Sequence, residues 1–123
     1  MLRFVVAGLS KDQLAQVISH TGGAEVTVER KSDIEAAMAM KAGQADYYIG
    51  ACNSGAGAAL AICTALLGAD KTVTLAAGGA GTSAEAIKQA VDGGKTAFGL
   101  RNTDIDRVVP DLVRELIAKA RQS

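Results

Sequence analysis

Short apolar runs alternate with helical stretches five times along the chain, and that alternation leaves few folds open. Residues 4–7, 26–28, 47–49, 73–75 and 97–98 are three or four residues or fewer, apolar, and mostly β-branched or aromatic, the signature of short strands. Helical stretches follow at 11–20, 33–42, 55–67, 84–91 and 103–121. In the last of them Val108, Leu112, Leu116 and Ile117 share one face.

Strict alternation with crossovers of this length requires parallel strands, and right-handed crossovers place helices on both sides of the sheet. The expected architecture is α/β: a three-layer α/β/α sandwich around a five-stranded parallel sheet, flavodoxin/Rossmann-like, with flavodoxin-like strand order and residues 1–123 forming one domain. Capping chemistry marks four helix starts: Ser10 with Gln13, Ser32 with Glu35, Thr82 with Glu85, and Thr103 with Asp106 as a shortened form. Helix ends are marked by Gly22-Gly23, Gly43, Gly68 and Gly93-Gly94. The lone proline, Pro110, falls in the first turns of the last helix, where a missing amide costs little or bends the helix mildly.

Only 3% of residues are aromatic and Trp is absent, so the core must be built from Ala, Val, Ile and Leu in close backbone packing. Thirteen basic residues balance thirteen acidic ones, so no net field draws in a polyanion and nucleic acid is not an expected partner. Cys52 and Cys63 lie eleven positions apart, neither a metal-ligand spacing nor a disulfide framework, which fits a reducing, cytoplasmic setting. The apolar N-terminal run is too short for a signal-peptide core. Residues 50–69 carry no charge, yet Asn53, Ser54, Gly55, Gly57 and Gly68 interrupt them, so a buried helix is expected and not a membrane-embedded one.

Ligands of open parallel sheets bind outside the carboxyl ends of the strands, where strand order reverses. Two of the five loops selected by that rule are unusual. The third places small residues, Asn53, Ser54, Gly55, Ala56 and Gly57, where a strand turns into a helix, leaving backbone amides and a positive helix end to face an anion. The same glycines would also let the helix pack closely on the sheet. The fourth loop, with Gly78, Gly79, Gly81 and Thr82, repeats the pattern, as an amide cluster or as a flexible connection. In the first loop, Gly8 and Ser10 occupy the equivalent place. Arg101 after the fifth strand, and Arg30 and Lys31 after the second, are candidate cations for an anionic ligand or plain surface charges.

Cys52, at the end of the third strand, reads either as a thiolate nucleophile or proton-transfer base, or as a small buried hydrophobe. Cys63, among Ala, Ile and Leu, reads as core, and His20 as a C-terminal helix cap on the opposite edge. Asp46 precedes its strand and belongs to that far edge too, Asp12 is a first-turn acid, and Asn102 and Asp104 read as capping groups. No Ser/His/Asp set, paired-His metal motif or Walker sequence is present, and no cofactor is indicated. The expected ligand is a small anionic metabolite bearing phosphate or carboxylate, with catalysis left open.

The segment 46–60, together with 6–9, 34–38, 41–46 and 97–100, resembles the YhfU-like family of bacterial proteins, a domain of unknown function, along nearly the whole chain. More distantly, residues 49–57 are similar to the G-x-C-G-T/S-G-x-G turn of type B ribose-5-phosphate isomerases. That likeness implies Cys52 as base and the amides of residues 53–57 as anion hole. The chain departs from it where Asn53 replaces a glycine and where the Asp-His and later His positions of those enzymes are missing. The small cytosolic B subunits of sugar phosphotransferase systems are also similar α/β domains, but their cysteine follows the first strand, where this chain has Gly8-Leu9-Ser10. A transporter partner would follow from that likeness, while the leading reading is a non-enzymatic module that binds a small anion or docks on a transporter or enzyme. The uncharged third helix is apolar on every side, more than one sheet face needs, and a homo-oligomer is expected to cover the rest.

Overall fold

The structure, a computed structural model, describes residues 1–52, 60–75 and 83–122. Its strands are β1 (Leu2–Gly8), β2 (Val26–Arg30), β3 (Tyr47–Cys52), β4 (Thr72–Thr74) and β5 (Ala97–Arg101). Its helices are α1 (Lys11–Gly22), α2 (Asp33–Lys41), α3 (Ala61–Leu67), α4 (Ala84–Asp92) and α5 (Ile105–Arg121). All strand pairs are parallel. Helices α1, α4 and α5 pack together on one face of the sheet, and α2 packs with α3 on the other. The three-layer sandwich expected from the alternation is the observed architecture.

Strand order is β2-β1-β3-β5-β4, not the flavodoxin-like 2-1-3-4-5. The last two strands have exchanged places, and burial explains why. Ala97, Phe98, Gly99 and Leu100 of β5 are all buried, as an interior parallel strand requires, while the three residues of β4 are only half-buried and suit an edge.

Alternation within the strands builds two cores of different character. Phe4, Val6, Ile49, Phe98 and Leu100 point toward α1, α4 and α5, where Val108, Val109, Leu112 and Leu116 meet them. Toward α2 and α3 the sheet presents smaller side chains, Val5, Ala7 and Ala97 beside the one large Tyr48, and these meet Ala36, Ala37, Leu60 and Cys63. Gly99 extends that small-residue face. A Cβ there would lie 2.9 Å from Leu60 Cγ, so the missing side chain is what admits Leu60.

Local chemistry accounts for most of the helix boundaries. Ser32 and Glu35 form the expected reciprocal capping box (Glu35 N to Ser32 Oγ 3.2 Å; Ser32 N to Glu35 Oε1 3.3 Å). Ser83 caps α4 by accepting from Ala86 N at 3.1 Å, one position after Thr82, which lies outside the described residues. Two expected caps are corrected. Ser10 has φ 62° and ψ 31°, a left-handed conformation from which its hydroxyl makes no cap bond, and Gln13 instead reaches Asp106 Oδ1 at 3.2 Å. Thr103 sits in a 3₁₀ turn, Asn102–Asp104, and α5 begins two residues later at Ile105. The helices end at or beside Gly23, Gly43, Gly68 and Gly93, as expected.

At the amino edge of the sheet Asp46 ties β1 to the start of β3. It accepts from Arg3 N at 2.8 Å and from the Arg3 side chain at 3.1 and 3.2 Å, and this pairing holds its carboxyl below the usual range. His20 is exposed in the last turn of α1, where a helix end favours cations. Among the described residues no helix is long and apolar enough to cross a membrane.

Candidate functional site

The carboxyl ends of β1, β3 and β5 lie side by side, and the chain leaves them in different directions. The helices after β1 and β5 lie on one face, and α3, after β3, lies on the other. Loops therefore diverge on both sides of the β3 end, the condition for a cleft at the tip of an open sheet. Cys52 is the last residue of β3, half-buried, and its register partner on β5 is Arg101.

On the other flank, Gly8 is the register partner of Ala51. It has φ +81°, and Leu9 N donates to Ala51 O at 3.0 Å. A Cβ on Gly8 would stand 2.6 Å from Ala51 O, so the chain turns off β1 flush against β3 only because residue 8 has no side chain. Ser10, half-buried, follows in its left-handed conformation.

Arg101 does not stand alone. Its Nε–H donates to Asp104 Oδ2 at 2.8 Å, and Arg107 approaches the other carboxylate oxygen at 3.5 Å. Asp104 is only 7% exposed, and the Arg101 hydrogen bond, with the charges of Arg101 and Arg107, holds its carboxyl below the usual carboxylate range. The carboxylate that the sequence suggests as a helix cap makes no cap bond and anchors a guanidinium instead. Sequence reasoning missed this role, although the Arg-x-x-Asp-x-x-Arg spacing of 101–107 was its visible signal.

The sign of the resulting pH dependence follows. A carboxyl whose folded pKa is depressed stabilises the fold above its unfolded pKa and loses that contribution as pH falls through the folded value. Asp104→Asn is therefore expected to lower Tm by several degrees at pH 7. The gap to wild type should begin to narrow below about pH 4, where the carboxyl protonates in the unfolded chain, and close only once pH has fallen through the depressed folded value. Thermal melts of both proteins from pH 7 to pH 2 check this, and a gap of constant size would contradict the ion-pair assignment.

The other candidate cations are not brought to Cys52. Arg30 ends β2 and Lys31 follows it, and β1 separates that strand from β3. Arg30 pairs with Asp12 at 2.6 Å and Lys31 with Glu29 at 3.4 Å. Cys63 is core: it is 1% exposed, and burial pushes its thiol up to about 11.

Asn53, Ser54, Gly55, Ala56 and Gly57, and likewise Gly78, Gly79, Gly81 and Thr82, lie outside the described residues. Their points of departure are described. The first segment leaves from Cys52. The second leaves from Leu75, which is buried and donates its N–H to Gly99 O at 2.6 Å. These departures are not from neighbouring strands, as the expected order implies. Because β4 and β5 have exchanged places, the end of β5, carrying Arg101, stands between them. Among the described residues no group of three His, Cys, Asp or Glu side chains could hold a metal ion.

The profile of a family described as "Protein of unknown function DUF2620" matches residues 2–116. The chain belongs to the DUF2620 family. It is 42% identical over 116 residues to the "Uncharacterized protein YhfU" of Escherichia coli K12, a match covering 94% of this chain and 99% of the relative. Proteins of the same description from Escherichia coli O6:H1 and Shigella flexneri match to the same extent. DUF2620 membership bears out the YhfU-like resemblance. It lends nothing to the isomerase likeness of the Cys52 loop, and no role for Cys52 follows from it.

Proposed function

We propose that the protein binds a small anionic metabolite, bearing a phosphate or a carboxylate, across the carboxyl ends of β3 and β5. Arg101 is its cation, and residues 53–57 and 78–82 supply backbone amides. The observation that carries this reading is the exchanged strand order, which sets Arg101 beside Cys52 and between the points from which the two glycine-rich segments depart. Asp104 takes the Nε–H of Arg101 and so fixes the plane of the guanidinium, leaving its terminal amino groups to meet an oxyanion in a fork. A side chain already held in place loses less conformational freedom when a ligand arrives. Two cysteines that form no disulfide suit a protein of the reducing cytosol.

A thermal-shift screen against sugar phosphates, carboxylates and nucleotides tests the reading. At about a hundred times Kd a ligand contributes about 2.7 kcal/mol, a rise in Tm of roughly 10 °C for a domain of this size. The rise should disappear in Arg101→Ala and in Gly57→Val, and persist in Cys52→Ser. Failure of every compound to move Tm would overturn the proposal and favour a domain that docks on a transporter or enzyme.

Cys52 sustains a second reading, because the residue is only half-buried at the same strand end. As the isomerase likeness implies, it would then move a substrate proton. In that case Cys52→Ser abolishes turnover of a sugar phosphate while the thermal shift survives; turnover that persists in Cys52→Ser would rule Cys52 out as the base.

A further inference from the structure

We propose that the outer face of α2 and α3 is the interface of a twofold dimer of this chain. Ile34 is 58% exposed and Met38 59%, a heavy exposure for two large apolar side chains one helical turn apart. They border a groove of about 640 Å³ whose other wall is α3, through Ala61, Ile62, Ala65 and Leu66. Helix α3 carries no charged residue, so its outer side has nothing to hold water in preference to a neighbour.

The occupant is indicated by the charges around Met38. Glu35 precedes it by three residues and Lys41 follows it by three. At about 1.5 Å per residue the two charges stand at equal heights on either side of Met38 along α2. A twofold axis beside Met38 reverses the partner helix, which brings Glu35 of each copy level with Lys41 of the other and Ile34 level with Ala42. One helix thus supplies both halves of two ion pairs, the self-complementarity an isologous interface requires. An anionic lipid surface would call for cations at both ends of the ridge, and the acidic start of α2, with Asp33 and Glu35, provides the opposite. Lys41 Nζ donates to Leu66 O at 3.2 Å, which holds the ammonium at the rim of the groove with two protons left for the partner. The alanines on the α3 wall leave room for the partner's Met38 ridge.

Sedimentation equilibrium and light scattering of the full chain at micromolar concentration test the interface. Wild type is expected to be a dimer. Met38→Lys, which sets like charges together at the axis while touching no core residue, should weaken it at least about tenfold with Tm of the dilute protein retained. Lys41→Glu should weaken it as well, and adding Glu35→Lys, which also gives up the side-chain half of the Ser32 capping box and so lowers Tm, should restore association. In a Cys52→Ser background, Met38→Cys should form a covalent dimer on mild oxidation, because the axis places the two residues together. A monomer at all concentrations, or a dimer that neither Met38→Lys nor Lys41→Glu weakens, would overturn the proposal. Neither result bears on Arg101 and its ligand, which belong to the edge of the sheet.

Discussion

Gly8→Ala is expected to destabilise the protein by about 3 kcal/mol, an unusual cost for adding one methyl group. An alanine at φ +81° gives up about 1–2 kcal/mol by conformation alone. Its Cβ would also stand 2.6 Å from Ala51 O, an atom of a central strand that cannot move aside as a flexible side chain can. Relief requires β1 to lift away from β3, which forfeits the 3.0 Å bond from Leu9 N to Ala51 O, worth about another 1 kcal/mol. Gly43→Ala separates the two effects. Gly43 has φ +75° but open space where a Cβ would go, so only the conformational part applies, about 1 kcal/mol. Urea denaturation of both variants checks the difference. Equal losses would mean that the close approach at the β1 end contributes nothing. Since Gly8 also flanks Cys52, any ligand-induced stabilisation should fall in Gly8→Ala and remain in Gly43→Ala.

The second large effect is expected for Phe98→Ala, at about 3–5 kcal/mol. Phe98 is wholly buried on an interior strand, with Ile49 and Val73 as register neighbours on its two sides and Tyr47 with ring centroids 6.4 Å apart. With so few aromatic residues in the chain, little else can expand into the space it would vacate. A fall in Tm of more than about 10 °C is expected. Phe98→Leu, which keeps most of the volume, should cost less than about 1.5 kcal/mol. A loss below about 1 kcal/mol for Phe98→Ala would show that β5 is not the buried interior strand that the exchanged order makes it.

That exchange marks where reading by pattern stopped. Strands and helices were legible because their signals are local: β-branched runs, a 3.6-residue apolar face on α5, Ser32 with Glu35, glycines just past helix ends. Two caps misled for a local reason as well. The Ser10 and Thr103 side chains are of the right type, but the backbone at Ser10 is left-handed and the chain at Thr103 is still in a 3₁₀ turn. Residue type does not report backbone angles.

For the candidate site, Cys52, Gly8 and Arg101 were legible as strand-end residues, because the alternation alone puts the end of each strand on one edge. Their grouping was not. It depends on which strand lies beside β3, and that is a competition among strands for the buried centre, decided by how much apolar surface each can cover on both faces. β5 wins it over the three-residue β4, and Arg101 moves next to Cys52 as a consequence. The Asp104 anchor is similar, since it forms only once the turn after β5 folds the carboxylate back onto the guanidinium. The sequence by itself determined the elements, their parallel sense and the edge on which a ligand would sit, since each follows from interactions within a few residues. Tertiary structure alone decided strand order, the company Arg101 keeps and the exposed ridge of α2, because burial is shared among segments far apart in the chain and no local pattern records its outcome.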